Sequence, residues 1–490
     1  MPDAQLVPVE RERTGTAGRP DWFLTTKRTY LLDFQMPDSA DQMPIGQPRN
    51  LRDIDVERIV RQLHEHGVEA LYTHAKDNQG NCYYDTAVGH KHSGIGDRDL
   101  MREFSTHCRA VGMKILYYVQ LTRERRANAE ELYAARRQDG SPVMLRDLTP
   151  QLPSREEKPV ACLNGPHRQY ILNIVRELSA NYDFDGYWLD CFGWWGRINP
   201  CYCDVCAATY REDTGAALPP EQDKESAAWK RYLRWRRRLN STTLHDVQRA
   251  IKAVNPRLSV NHNGSAQNAW SDWSFCDVDD YVTHEFHYNE GHGHLSLLCR
   301  KLRALKPGVP FEVEIWRFFN RLSDTLRGYQ IRPLPMHQVE MATVLAHGGF
   351  IQYYDQINPD GTLDTRSLRV MQQAFDDVRR WEPWLQHGLG AGGPRAVRRH
   401  RLVKGDRRLC AAAARAHPRD GPGRRALRAD GEPHPLWRVG RPPDGARGLW
   451  RPQGNSAAER HLPLGRGGTP ARGVRQRRRG SGGHVPDIAL

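Results

Sequence analysis

No stretch of the chain approaches the roughly 18–20 consecutive apolar residues that a helix needs to cross a membrane, so no membrane partner is expected. The first fifteen residues, MPDAQLVPVERERTG, are polar and charged and lack the apolar core of a secretory signal. The expected location is therefore cytoplasmic. No glycine-rich phosphate turn follows an early strand, which argues against an open dinucleotide-binding sheet. Positive charge is missing where a nucleic-acid binder would need it. The net charge is +14, but residues 391–490 hold 22 Arg and one Lys against seven acids. Residues 1–390 then carry 49 basic and 51 acidic groups, a near-neutral body suited to neutral substrates.

Hydrophobic periodicity is also missing after about residue 390, where Arg, Gly and Pro dominate in segments such as VRQRRRGSGG. Such a stretch builds no core. It reads as a disordered basic tail or as translation of a GC-rich gene in a shifted frame, and the second is preferred because the pattern is abandoned abruptly. Three segments are expected: a flexible lead-in over 1–28, a catalytic domain over 29–390, and this tail over 391–490.

What is present is alternation. Strand-like runs at 29–35, 68–76, 113–121, 184–190, 257–263, 279–287, 309–316 and 348–356 are separated by helical patterns at 51–67, 97–112, 167–182, 226–254, 293–306 and 335–347. Gly67 and Gly112 close the first two helices. Eight strands alternating with helices predict an α/β fold, a (β/α)8 TIM barrel. The long polar segment 122–160 is expected to cover the strand-end face.

The pattern centres on residues 181–206, NYDFDGYWLDCFGWWGRINPCYCDVC. A buried strand ends at Asp190, and an aromatic, glycine-rich loop with Trp194 and Trp195 follows at once. An acid held at a barrel strand end, facing flat aromatic rings, suits the cleavage of sugars. A retaining glycosidase needs a second carboxyl about 5–5.5 Å away. Glu285, among His284, His287 and Tyr288, is the candidate acid/base. Glu312 and Glu314 share a strand face and one of them could serve, and Asp355 is a further strand-end acid. Trp270, Trp273, Trp316 and Tyr354 are candidate stacking residues. Lys76, His262 and Asn263 are candidate hydroxyl ligands. His90, His92, His292 and His294 read as solvated loop residues rather than a metal set.

The blocks AKDNQGNCYYDT (75–86), RDLMREFSTHCRAVGMKILYYV (98–119), YDFDGYWLD, DDYVTHEFHYN and GGFIQYYDQINPDGTLD (348–364) keep a recognisable order. Over roughly residues 29–365 the chain resembles the α-L-fucosidases of glycoside hydrolase family 29. The resemblance implies a retaining, exo-acting glycosidase with Asp190 as nucleophile and Glu285 as acid/base. It places Asp77 and Asn78 where that family keeps paired sugar-binding histidines, a departure that puts fucose itself in question. Glu314 and Trp316 are further substrate-binding expectations. A β-galactosidase-like hydrolase and a non-catalytic carbohydrate-binding barrel are the alternatives.

Three cysteines within six residues, Cys201, Cys203 and Cys206, are too cramped to bridge freely with one another, and a cytosolic setting favours metal over disulfide. Reduced thiols or one longer bridge remain alternatives. This loop, with ACLNGPHRQ before it, is similar to the zinc-holding loop of some family 42 β-galactosidases. That resemblance implies a structural zinc on Cys162, Cys201, Cys203 and Cys206. No cofactor is required for catalysis in this reading, and oligomeric state is not legible.

Overall fold

The computed structural model describes residues 18, 20–34, 51–122, 133–144, 159–191, 200–220, 225–264, 274–287, 291–318, 331–358 and 360–390. The expectations for Trp194, Trp195, Trp270, Trp273, Tyr288 and the 391–490 tail lie outside these residues. The chain divides into two compact units, Met1–Arg401 and Leu402–Leu490, and every described residue belongs to the first.

The strands are β1 (Arg28–Asp33), β2 (Ala70–Lys76), β3 (Asn81–Cys82), β4 (His90–Lys91), β5 (Lys114–Gln120), β6 (Gly186–Asp190), β7 (Ser259–His262), β8 (Thr283–Phe286), β9 (Glu312–Trp316) and β10 (Phe350–Gln356). Eight of them form one parallel sheet in the order β7-β6-β5-β2-β1-β10-β9-β8, with β3 and β4 as a small flap beside β2. The two sheet ends meet where the Asp280 amide donates to Val260 O at 2.7 Å and the Val260 amide to Asp280 Oδ2 at 2.8 Å. The fold is a nearly closed (β/α)8 barrel, as the alternating pattern predicted.

The helices are α1 (Val56–Glu65), α2 (Leu100–Ala110), α3 (Pro166–Asn181), α4 (Asp204–Thr214), α5 (Ala227–Val254), α6 (Phe275–Val278), α7 (His292–Leu305), α8 (Leu334–Ala346) and α9 (Thr365–Gly390). Their starts follow from local chemistry. Asp55 caps α1 by accepting from the Arg58 amide at 2.9 Å, Asp99 caps α2 through Arg102, and Ser226 caps α5 through Trp229. On α1, Val56, Ile59, Val60 and Leu63 are buried, the 3.6-residue stripe seen in the sequence.

Three apolar clusters result. The largest lies between the sheet and the helices, with Leu32, Leu71, Ile115, Leu189 and Val260 on the outer face of the strands. A second fills the barrel with Leu31, Tyr72, Leu116, Trp188, Tyr281 and Phe350, and includes Trp22 and Phe23. The segment expected to be a loose lead-in thus contributes a buried plug at the N-terminal end of the strands, where Trp22 Nε1 donates to Ser259 Oγ at 3.1 Å. Beside it, a Cβ on Gly186 would collide with that same Ser259 hydroxyl, so only glycine permits β6 and β7 this close. A third cluster packs α4 and α5 against Val143, Val160 and the cysteines.

Candidate active site

Side chains alternate across each strand, so one parity in every strand fills the barrel. Glu312 is the deepest ionisable group there. Its carboxyl accepts from Tyr72 Oη at 2.6 Å, Thr283 Oγ1 at 2.9 Å, Trp188 Nε1 at 3.2 Å and Thr29 Oγ1 at 3.3 Å. Burial pushes its pKa up to about 7 against the pull of these four donors. Glu312 therefore ties β1, β2, β6 and β8 to β9 and lies below the mouth, which corrects its candidacy as acid/base. Asp355 is also corrected: it faces the helix layer, where Arg317 Nε lies 2.8 Å away and Ser367 Oγ donates at 2.8 Å.

Two residues further along β9, Glu314 reaches the level of the strand ends. It is 2 % exposed, and its Cα registers against Glu285 of β8 and Gln352 of β10. The Trp316 indole N–H donates to its Oε1, while its Oε2 has no partner among the described residues. Burial first, then the nearby Glu285 charge, push this carboxyl well above the ordinary range, with the Trp316 hydrogen bond opposing.

Asp190 ends β6, half-buried, and accepts from the Tyr118 hydroxyl of β5 on Oδ2. Immediately afterwards the chain turns through Cys191, whose φ of 56° is the one positive value for a non-glycine among the described residues. That left-handed residue costs about 1–2 kcal/mol. Its thiol lies 3.3 Å from Asp190 Oδ2.

Asn263 continues the β6–β7 ladder, its amide donating to Leu189 O at 2.8 Å. Its side-chain Nδ2 donates to Asp190 Oδ1 at 3.0 Å and also to Glu285 Oε1. Two carboxylates flanking one amide require the NH2 end between them, which fixes the orientation of the group. The shared nitrogen therefore brings one oxygen of each carboxyl to the two sides of a single amide. Glu285 Oε2 also lies 3.5 Å from His287 Nε2, and the His287 ring packs edge-on against Trp316 at 5.1 Å.

The far wall is polar as well. Tyr354 packs at 5.0 Å from Trp316 and its hydroxyl donates to Asp33 of β1. His74 of β2 lies fully buried, 3.8 Å from Asp33 Oδ1 and 4.1 Å from the Tyr118 ring. Burial holds its imidazole below its ordinary value, with the Asp33 charge opposing. Tyr118, Asp33 and His74 were not singled out from the sequence, although each lies at or near a strand's C-terminal end.

Other expected ligands face elsewhere. Lys76 follows a bulge between His74 and Lys76, so it registers with outward-facing Val119. Its ammonium lies 5.9 Å from the Tyr170 ring of α3 and donates to Gln120 O at 3.3 Å. His262 shares the outward face of Val260 and pairs with buried Asp279 at 2.8 Å, on the opposite side of β7 from Asn263. The Asp77 carboxylate accepts from the amides of Gln79 and Asn81, both at 2.8 Å, from Tyr83 Oη at 2.7 Å and from Asn81 Nδ2 at 3.2 Å. It organises its own turn, with half-buried Asn78 beside it. His92 is buried rather than solvated, and its Nδ1 accepts from the Gly94 amide.

The four cysteines converge. One sulfur from each of Cys162, Cys201, Cys203 and Cys206 lies within 4.8 Å of the others, and none is in a disulfide. Cys162 Sγ is 3.5 Å from Cys206 Sγ and 3.7 Å from Cys203 Sγ. A tetrahedron with zinc–sulfur bonds of about 2.3 Å has edges of about 3.8 Å. The Arg136 amide and Arg236 Nη1 each donate to a cluster sulfur at 3.5 Å, as suits thiolates. The donor set therefore fits a closed zinc site.

Residues 55–191, from the approach to α1 through Cys191, match a family described as "Hypothetical glycosyl hydrolase 6". Among solved structures, α-L-fucosidase isoenzyme 2 from Paenibacillus thiaminolyticus is similar at 22 % identity and a TM-score of 0.59. That alignment covers 74 % of this chain and 50 % of that one. The chain thus spans about half the length of this relative. Isoenzyme 1 from the same organism follows at 15 % identity and a TM-score of 0.43, covering 73 % of this chain and 74 % of that one. The catalytic domain of β-amylase from Paenibacillus polymyxa follows at 11 % and 0.45, covering 72 % and 98 %. No curated protein matches the chain. Fold and family match together support a glycoside hydrolase.

Proposed function

We propose that the protein is a retaining, exo-acting glycoside hydrolase of the α-L-fucosidase kind, with Asp190 as nucleophile and Glu285 as acid/base. The observation that carries this reading is the single Asn263 nitrogen shared by both carboxyls. One amide set between both carboxyls supports the close pair of a retaining enzyme, about 5–5.5 Å, over the wider inverting pair of about 6.5–9.5 Å. Asp190 attacks the anomeric carbon as Glu285 protonates the departing oxygen. Glu285 then takes a proton from water, which attacks the same carbon and releases the sugar with its configuration retained. The choice of an α-L-fucoside rests on the resemblance of the strand-end motifs, with the likeness in fold to an α-L-fucosidase beside it.

The four-cysteine cluster is proposed as a structural zinc site. Zinc there would pin the turn from Cys201 to α4 against α5, remote from the reacting atoms in chemistry and supplying no step.

The test is a panel of nitrophenyl glycosides, with α-L-fucoside and β-D-galactoside foremost, assayed on the parent and on Asp190→Ala. Hydrolysis of one glycoside that disappears in the variant supports the assignment. Undiminished turnover in Asp190→Ala overturns it, and silence across the panel from folded protein favours a carbohydrate-binding barrel.

A further inference from the structure

Glu314 has no place in the two-carboxyl reaction, yet it stands at its centre. It is Glu285's register neighbour in the parallel β8–β9 pair, and both share the parity of Thr283 and Glu312, which meet inside the barrel. It is almost wholly buried, it receives a hydrogen bond on one oxygen only, and its other oxygen has no partner among the described residues. An ionised carboxylate with an unmatched oxygen in such a place is costly, whereas a carboxylic acid turns that oxygen into a donor that needs an acceptor. The carboxyl registered beside it is Glu285.

We propose that Glu285 and Glu314 hold one proton between them and act as one acid/base unit, with Glu314 as the positioning residue that keeps Glu285 a donor. This rests on the reading of Glu285 given above. When the glycosidic bond breaks and carbon bonds to Asp190, the shared proton leaves with the departing oxygen. When water attacks and the Asp190 bond breaks, the proton of that water returns to the pair. One negative charge remains on the pair in its resting form, and two appear only between the steps.

The charged and titratable groups around the pair come from β5, β6, β8, β9 and β10. Asp190 lies across from β6 and adds negative charge, as does Glu312 deeper on β9. His287 faces Glu285 from just beyond β8. Tyr354 of β10 and Tyr118 of β5 close the ring through Trp316 and Asp190. The carboxylates outnumber the cationic groups among these, which favours retention of a proton.

The experiment is pH-difference infrared spectroscopy on the full chain, following the protonated-carboxyl band in the parent, Glu314→Gln and Glu285→Gln. Sharing predicts that removing either residue moves the ionisation of the other to lower pH by about one unit or more. On the hydrolysed nitrophenyl glycoside, Glu314→Gln should pull the alkaline limb of kcat/KM down by a similar shift, with KM little changed. If Glu285→Gln leaves the Glu314 band in place, the two share no proton and the proposal falls. A shared band in a protein that cleaves no glycoside would instead overturn the hydrolase reading and leave the dyad standing.

Discussion

Asp190 and Glu285 sit on strands two apart in the sequence, β6 and β8, and are joined through one atom, Asn263 Nδ2 on the intervening segment. The carboxyl spacing therefore depends on a single amide. Asn263→Ala should let the two carboxyls drift, and a misplacement of about 1 Å lowers kcat on the order of a hundredfold. Asn263→Asp should be worse, because it sets a third acid between two others. Steady-state kinetics on the hydrolysed glycoside decide this, with melting curves beside them to confirm folding.

Tyr118→Phe removes one hydroxyl donor from Asp190 Oδ2 and leaves the ring in place against Trp188 and His74. A hydrogen bond to a charged group contributes about 1.5–3 kcal/mol, so turnover should fall by roughly 10- to 100-fold. Pre-steady-state bursts should show the loss in formation of the glycosyl-enzyme. An unchanged burst would place Tyr118 outside the reaction.

Glu312 offers a stability test with a definite sign. Its folded pKa of about 7 lies above the ordinary carboxyl value, so its stabilisation is fully present below that ordinary value and is lost as pH rises through 7. The difference in unfolding free energy between parent and Glu312→Gln should therefore move against the parent between about pH 4.5 and 7, by about 3 kcal/mol. Urea melts at several pH values read it directly. A difference independent of pH would contradict the assignment.

The four sulfurs should bind one zinc per chain. Metal analysis of protein purified without chelator gives the stoichiometry, and Cys203→Ser should abolish it. Removing the ion should lower Tm by several degrees and loosen the turn into α4, with the barrel's interior unaltered. A protein that folds identically after exhaustive chelation would show that the thiols pack without metal.

The barrel could be read from the sequence because its strands are short and apolar and alternate with helical patterns, the first two closed by glycine. Which face each residue takes could not. Parallel strands are buried on both sides and show no polar alternation to mark the interior. Tyr117 and Tyr118 are adjacent and alike, yet Tyr117 bonds Ser105 in the helix layer while Tyr118 bonds Asp190. One bulge in β2 turned Lys76 away from the mouth, and a bulge carries no signature in ALYTHAK. Glu312 and Glu314 share a face but differ by about 6.6 Å in depth along the strand, enough to separate a structural clamp from a group at the site. The strand-end position of Asn263 is legible in the sequence, but its bridging role depends on β8, which arrives twenty residues later.

Trp22, Phe23 and the ring of donors around Glu312 stopper the barrel at its lower end. Among the described residues the barrel is therefore shut from below, and the C-terminal ends of the strands form the doorway to the site. In the proposed reaction the aglycone must vacate that doorway before hydrolytic water can enter it, so an alcohol that lingers there competes with water for the glycosyl group. Transfer to added alcohols, growing with their concentration while total turnover holds, is the behaviour expected of a barrel shut from below.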